Sequence, residues 1–350
     1  MKTPYDALPM SAQAAWQDLR RLLKDAEAED IIGAPKARKI AGKIYWYDQY
    51  RLGDAVKERY IGPDEPARRA AMEAYINLRE TRAARAKDRA RLVSLLRAEG
   101  MAAPDLETGR ILSALAQTGA FRLGSTLIGT HAYRLYEGVL GVRFGADQAA
   151  VTQDIDVAQF RALSVALADG GDAVDPALGE TFSDLEFSPV PSLEKGRVWR
   201  WEQSKRKTLV EFLTPSFEAE EKLRDLPALG VSAQSLHFLN YLIRDPIRVP
   251  VLYRQGVLVQ VPKPARYAIH KLIVAERRRD GPEAGKSRKD RAQADLLIRH
   301  FAAEEPYALV DAYRDAYETG PRWRQKIDAS LRRLPEARDA LDRALAETGA

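Results

Sequence analysis

Residues 152–160 read TQDIDVAQF, a run in which acidic and apolar side chains alternate. Because every second residue of a β-strand points to the same face, Asp154 and Asp156 project together while Ile155 and Val157 enter the core. Two adjacent carboxylates repel each other, so the pair needs a cation, a proton or generous solvation. The pattern predicts a strand that carries a metal site, and an exposed strand end is the simpler alternative.

A turn of small residues lies upstream of this strand. The sequence RLGSTLIGTHAYRLYEGVLG (122–141) gives an apolar run, then Gly129 and Thr130, then a segment with helical spacing. A glycine between a strand and a helix lets backbone N–H groups approach an anion, and the helix dipole favours negative charge there. The turn is therefore a candidate phosphate site, although a tight turn or helix cap would have the same sequence.

A third acid, Glu211, lies in the apolar run RKTLVEFLTP (206–215). A carboxylate among buried strand residues needs a partner, and a third acid beside the first pair would complete a site for two divalent ions. An edge-strand glutamate that reaches water is the alternative. Short apolar runs broken by Gly, Pro and Asp extend from about 106 to 262 and indicate a sheet with intervening helices.

The residues before this region are predicted to form a helical unit with a β-hairpin. The hairpin covers residues 43–64, where two tyrosine-rich runs flank a Gly-Asp turn. A long helix then continues to Gly100. One side of it carries a basic stripe: Arg79, Arg82, Arg85 and Arg89. The stripe would attract phosphates, and a solvated helix face is the simpler alternative.

After residue 262 the pattern is helical again. Its predicted segments lie near 264–279, 286–302, 304–318 and 322–347. We therefore predict an α+β chain with three units. They are an N-terminal helical unit with a β-hairpin (1–105), a catalytic domain built on a sheet (106–262) and a C-terminal helical domain (263–350).

Composition excludes several chemistries. The chain of 350 residues has no cysteine, which removes disulfides, thiolate nucleophiles and cysteine-based zinc sites. It has four histidines but neither an H-x-x-x-H nor a G-x-S-x-G motif, so a zinc enzyme or a Ser-His-Asp hydrolase is unsupported. No apolar run approaches about 18 residues, and the N-terminus lacks a signal-peptide pattern. We expect a cytoplasmic protein without a membrane partner.

Three motifs together resemble the polymerase-beta-like nucleotidyltransferase fold: IGT at 128–130, QDID at 153–156 and VEFLTP at 210–215. More closely, LIGTHAYRLYEGVLGVRF, TQDIDVA, VPKPARYAIHKLIVAERR and KSRKDRAQA resemble a bacterial nucleotidyltransferase-like family that is distantly similar to AbiEii-type abortive-infection toxins. The likeness covers about residues 106–300 and extends to the hairpin. The chain departs from the usual pattern in its Ile-Gly-Thr turn, where Gly-Gly or Gly-Ser is commoner, and at Glu211, where Asp is frequent.

This resemblance implies a mixed sheet of the polymerase-beta-like type and transfer of NMP from an NTP to a hydroxyl acceptor. Asp154, Asp156 and Glu211 would be the catalytic residues and would hold two Mg²⁺ or Mn²⁺ ions. Gly129 and Thr130 would bind the terminal phosphates of the nucleoside triphosphate, ATP being one candidate.

The resemblance adds Lys271, Lys289 and Asp290 as nucleotide-binding residues, and a solvated lysine on an amphipathic helix is the alternative for Lys271. The acceptor stays open between an RNA 3′ end, a protein side chain and a small molecule. A defence or toxin–antitoxin role, with an antitoxin partner, follows from the distant likeness alone. The alternative function is a non-catalytic nucleotide-sensing or nucleic-acid-binding module on the same fold.

Overall fold

A computed structural model of the protein describes residues 5–27, 33–52, 55–145, 153–280, 282 and 284–349. The strands are β1 (Tyr5–Ala7), β2 (Ala34–Ile40), β3 (Lys43–Leu52), β4 (Ala55–Pro63), β5 (Thr126–Ile128), β6 (Val142–Phe144), β7 (Asp154–Ala158), β8 (Phe187–Pro189), β9 (Arg200–Gln203), β10 (Leu209–Pro215), β11 (Leu223–Leu226), β12 (Val231–Leu236), β13 (Ile247–Val251) and β14 (Val257–Val261). The helices are α1 (Met10–Glu27), α2 (Pro66–Asn77), α3 (Arg79–Ala98), α4 (Leu106–Gln117), α5 (Gly129–Leu140), α6 (Arg161–Asp169), α7 (Leu178–Asp184), α8 (Leu239–Leu242), α9 (Pro264–Arg277), α10 (Ala284–Glu304), α11 (Pro306–Glu318), α12 (Pro321–Leu331) and α13 (Pro335–Glu347).

A mixed seven-stranded sheet forms the centre of the molecule. Strand β10 lies in its middle, with β7 parallel to it on one side and β5 antiparallel beyond β7. On the other side β10 pairs with β9 along its first half and with β12 along its second half. The outer strands β8 and β11 complete the sheet. This confirms the predicted α+β class with a mixed sheet.

The alternation in β7 determines which side chains enter the core. Ile155 and Val157 are fully buried, whereas Asp154 and Asp156 are only partly buried on the opposite face. Strand β10 follows the same rule, with Val210 and Phe212 fully buried. Burial of these apolar side chains fixes the register, because a slip of one residue would turn the acids into the core.

The N-terminal part differs from the prediction in two ways. The hairpin over 43–64 is part of a three-stranded antiparallel sheet, in which the charged strand β2 is the third strand and pairs with β3. The long helix is two helices that meet at Leu78, where no proline or glycine marks the break. The two have different packing partners: Met72 of α2 packs with Trp46 of β3, whereas α3 packs on α1.

The first strand and helix join the central core. Strand β1 pairs with β6, and α1 packs on α3, β13 and β14. Trp16 of α1 lies so close to Gly138 of α5 that a Cβ at residue 138 would come within 2.1 Å of the indole nitrogen. One continuous apolar cluster therefore runs from α1 to α13. The unit boundary at residue 105 stays a prediction.

The C-terminal region has five helices, α9 to α13, where four segments were predicted. The segment predicted over 322–347 is divided between α12 and α13, and Pro335 begins α13. Proline lacks the backbone N–H that a helix interior requires, so it favours the first turn of a new helix. Across the described part of the chain, no helix has the length and apolarity needed to span a membrane.

Candidate active site

The sheet brings the three predicted acids together. Asp156 on β7 lies directly opposite Glu211 on β10, and Asp154 lies opposite Leu209 in the same parallel pairing. Neighbouring strands are about 4.8 Å apart, and paired residues point to the same face. Asp154, Asp156 and Glu211 therefore form one carboxylate cluster on one face of the sheet.

The carboxyl group of Asp156 has a raised pKa. Burial, with repulsion from Glu211 and Asp154, raises its pKa to about 7, and Lys271 and Arg278 oppose that rise. A hydrogen bond joins the side chains of Asp156 and Glu211, as a proton on Asp156 would allow. With its pKa raised to about 7, Asp156 can hold a proton near neutral pH when no metal is bound, which relieves the repulsion between the acids.

Glu211 has a cationic neighbour that sequence reasoning missed. Arg200 on β9 lies opposite Glu211, with its Nε 2.8 Å from Oε1, although the two groups are not aligned for a hydrogen bond. Burial raises the pKa of Glu211, and the charge of Arg200 opposes that rise. The alternating run RVWRWEQ (197–203), close before the acid-bearing strand, was a signal for this pairing strand.

The donor atoms of the carboxylate cluster suit a hard divalent cation. Carboxylate oxygens are the ligands that Mg²⁺ and Mn²⁺ prefer, and the raised pKa of Asp156 reports negative charge without sufficient compensation. Within the described ranges, no three Asp, Glu or His side chains are arranged to ligate one ion. Arg200 lies 2.8 Å from one oxygen of Glu211, so a metal at the cluster would compete with Arg200 for that carboxylate.

The predicted phosphate turn lies against this cluster. Gly129 follows β5 and begins α5, and its φ of +69° is in the left-handed region that favours glycine. A Cβ at this position would lie 2.5 Å from Oδ2 of Asp156, so any other residue would displace the carboxylate. The residue before the helix, Ile128, offers no side-chain cap, which leaves the first-turn N–H groups available to an anion.

Two C-terminal helices reach back to this turn. Nζ of Lys289 on α10 donates to the hydroxyl of Thr130 at 2.9 Å. The hydroxyl of Tyr267 on α9 lies 3.0 Å from the carbonyl oxygen of Gly129 and 3.1 Å from Oε1 of Gln293. A single hydroxyl proton cannot serve both oxygens, so reversing the Gln293 amide would give Tyr267 one donor and one acceptor.

Lys271 and Asp290 belong to a buried ion cluster. Nζ of Lys271 donates to one carboxylate oxygen of Asp290, and Nη1 of Arg278 donates to the other at 2.8 Å. Burial alone would raise the pKa of Asp290, but Lys271 and Arg278 outweigh it and hold that pKa below its usual range. The structure thus gathers Lys271, Lys289 and Asp290 near the turn, with Asp290 contacting cations.

The two histidines near the site are buried and neutral at physiological pH. Burial lowers the pKa of His131 to about 4 and that of His270 to about 3. Nε2 of His131 has no hydrogen-bond partner among the residues that the structure describes. Neither imidazole can offer a positive charge to a phosphate near neutral pH.

Comparisons with known proteins place this arrangement in a family. A family model described as nucleotidyltransferase matches residues 106–318. The crystal structure of an antigenic nucleotidyltransferase-like protein from Paracoccidioides brasiliensis is similar at 15% identity with a TM-score of 0.32, over 65% of this chain and 94% of that one. The search of curated proteins gives no match. Because the family match covers more than half of the chain, this protein belongs to that nucleotidyltransferase family.

Proposed function

We propose that the protein moves an NMP from a nucleoside triphosphate to a hydroxyl acceptor, with Asp154, Asp156 and Glu211 holding two divalent metal ions. The observation that carries the proposal is the strand register, which sets Glu211 beside Asp156 and both acids beside the Gly129 turn. Carboxylates next to an anion-binding turn can bring a metal and a triphosphate to one place. Bound ions would activate the acceptor hydroxyl and neutralise charge on the reacting phosphate.

The residues of the turn would hold the triphosphate. Backbone N–H groups at the start of α5 and the hydroxyl of Thr130 are donors, and Lys289 lies 2.9 Å from that hydroxyl. Burial, together with repulsion from Lys271, lowers the pKa of Lys289. A triphosphate bound between Lys271 and Lys289 would relieve the repulsion between these two cations.

Asp290 would act by positioning the cations. A carboxylate repels a triphosphate, but Asp290 fixes both Lys271 and Arg278 through its two oxygens. The group of Lys271, Arg278 and Asp290 keeps a net positive charge, because two cations share one anion. Lys271 would then face the phosphates in a fixed orientation, which lowers the entropy lost on binding.

Calorimetry tests the metal and nucleotide parts of the proposal together. Each of the four NTPs would be titrated with and without magnesium into wild type, an Asp154→Ala/Asp156→Ala variant and an Asp169→Asn control on the exposed end of α6. We expect magnesium-dependent binding of at least one NTP in wild type and the control, and none in the double variant. Release of pyrophosphate from the bound NTP then reports transfer.

A non-catalytic nucleotide-binding module is the second candidate. It is favoured by the ion pair between Arg200 and Glu211, because a cation of the chain already offsets the charge of the third acid. This module would bind NTP equally with and without magnesium and would release no pyrophosphate. Metal-independent binding that survives the Asp154→Ala/Asp156→Ala change would therefore favour it over transfer.

A defence role with an antitoxin partner stays a prediction from the distant likeness. We expect growth arrest when the wild-type chain is expressed, and normal growth with Asp154→Ala. An active enzyme whose overexpression is harmless would contradict the toxin role but leave the transfer reaction intact.

A further inference from the structure

A large cavity among the described residues lies away from the carboxylate cluster. It is a cleft of about 1750 Å³ between the N-terminal helices and the sheet domain. Helix α3 lines it from the N-terminal side, and Arg122 with Arg254 lines it from the sheet domain. None of Asp154, Asp156, Glu211 or the residues of the phosphate turn lines it. Its chemistry therefore requires a separate explanation.

The cleft is strongly basic. Eight of its lining residues are Lys or Arg, and four are Asp or Glu. Three of the arginines, Arg82, Arg85 and Arg89, recur on one side of α3. Burial lowers the pKa of Arg82, and repulsion from Arg85 and Arg89 lowers it further. Burial and repulsion from Arg85 also lower the pKa of Arg89. An anion with regularly repeated charges would relieve this repulsion along the whole wall.

Aromatic rings lie between these cations. The guanidinium of Arg82 lies 3.4 Å from the centre of the Tyr75 ring, and that of Arg254 lies 5.3 Å from the centre of the Tyr253 ring. The side chain of Tyr60, at the edge of the N-terminal sheet, is 53% exposed. Tyr253 is buried and Arg82 covers the Tyr75 ring, so Tyr60 is the one of these three rings that could stack on a base. An exposed aromatic ring beside arginines is typical of surfaces that bind a single strand.

We propose that this cleft binds a single-stranded nucleic acid through its phosphodiester backbone. The five arginines contributed by β4, α2 and α3 precede residue 106, where the family match begins, so most of the basic lining comes from outside the matched region. An acidic protein would use the cations but would gain less from the exposed ring of Tyr60. Binding of nucleic acid in the cleft is independent of the proposed NMP transfer. Only the idea that the bound strand is the acceptor rests on that proposed function.

Helix α4 links the sheet to the cleft. Near its start, Glu107 accepts a hydrogen bond from Gln203, a buried residue at the end of β9 on the face of the sheet opposite the acids. Its last turn, with Gln117, lines the cleft. At about 1.5 Å per residue, the two points are roughly 15 Å apart. Because none of the acids lines the cleft, a bound strand would have to extend beyond the cleft to reach the reacting group.

Fluorescence anisotropy with a labelled, unstructured 20-nucleotide RNA tests the proposal. Measurements without NTP or magnesium would compare wild type with Arg85→Ala/Arg89→Ala and with Arg91→Ala/Arg97→Ala. The second pair lies exposed on the same helix outside the cleft and removes the same charge. We expect the cleft variant to lose at least about tenfold in affinity and its salt slope to fall by about 1.4, whereas the control stays close to wild type.

Further measurements separate the alternatives. Arg122→Ala/Arg254→Ala, in the part of the lining that the sheet domain contributes, should also weaken binding, which keeps the test valid if the α3 variant fails to fold. Asp154→Ala/Asp156→Ala should bind RNA like wild type, so loss of transfer and loss of binding are distinguishable. Equal binding of DNA would indicate backbone contacts alone, and preference for RNA would indicate contacts to the 2′-hydroxyl. Absence of wild-type binding, equal affinity in both α3 variants, or displacement by polyglutamate at equal charge would overturn the proposal.

Discussion

Asp156 links the stability of the protein to pH. Its pKa is about 7 in the folded chain because of burial and repulsion from Glu211 and Asp154, against about 3.9 for an unfolded aspartate. Between these values the folded state keeps a proton that the unfolded state releases. The stability that Asp156 contributes is therefore complete below about pH 4 and is lost as the pH rises through 7.

An Asp156→Asn variant, which cannot ionise, should expose this effect. We expect the Tm of the variant, relative to wild type, to increase between pH 5 and pH 8 in the absence of divalent metal. Thermal unfolding followed by circular dichroism with EDTA measures it. The exposed Asp169→Asn control should keep a constant difference from wild type, and a constant difference for Asp156→Asn would show that Asp156 does not titrate in this range.

Gly129 should tolerate no side chain, because a Cβ there would collide with Asp156. A second glycine with positive φ, Gly171, separates that collision from the cost of backbone strain. Gly129 and Gly171 both have positive φ, +69° and +83°, but a Cβ at Gly171 meets nothing within 4 Å. Each change to Ala should cost about 1–2 kcal/mol in backbone strain. Gly129→Ala should in addition displace Asp156 and lower both Tm and transfer rate well beyond Gly171→Ala. Equal effects of the two changes would contradict close contact with Asp156.

The site residues differ in how far the sequence could predict them. That Asp154 and Asp156 share a face follows from the two-residue period of a strand, which is a local property. The pairing of Glu211 with Arg200 depends on the register between β9 and β10, which tertiary packing sets. The contact between Lys271 and Asp290 likewise depends on how α9 and α10 cross, so their mutual pairing was not predicted.

At the level of elements, α9 and α10 are joined by the ion cluster around Asp290. Replacing Asp290 by Asn would leave buried Lys271 without its carboxylate, and loss of one partner of a buried pair costs about 3–5 kcal/mol. We expect that loss in the free energy of unfolding measured with urea. NTP affinity should fall as well, because Lys271 is no longer held.

A second variant separates stability from binding in this cluster. In Lys271→Met/Asp290→Asn, the buried ammonium is gone, so the free energy of unfolding should recover in part. Calorimetry should still show weak NTP binding, because the cation that faces the phosphates is missing. Full recovery of binding would show that Lys271 has only a structural role.

Element boundaries were predicted where the sequence marks them locally. Strands β5, β7 and β10 and the helices from α9 to α11 follow from apolar periodicity. The end of α2 at Leu78 was missed because it results from two packing partners, the small sheet for α2 and α1 for α3. Strand β2 was missed because its sequence, APKARKI, is exposed and charged and therefore lacks an apolar face.

At the scale of the whole molecule, most elements share one apolar cluster, to which the β2–β4 sheet contributes Tyr50, while the rest of that sheet packs in a second, small cluster. That small cluster contains Trp46 and Met72, with Ile61 and Tyr75 packed against it. Regions with few buried apolar contacts open at lower free energy than the rest of a fold. We expect amides of β2 to β4 to exchange hydrogen faster than those of β7 and β10, measured by mass spectrometry. Equal protection would show that the sheet unfolds only with the whole protein.

The basic cleft and the carboxylate cluster share no lining residue, and the separation between them would act as a ruler. If the bound strand is the acceptor, a short oligonucleotide could occupy either the cleft or the catalytic face but not both. Turnover should then rise abruptly at the length that first reaches from Arg85 to the acids, and change little beyond it. The enzyme would select its acceptors by counting nucleotides, without reading any base.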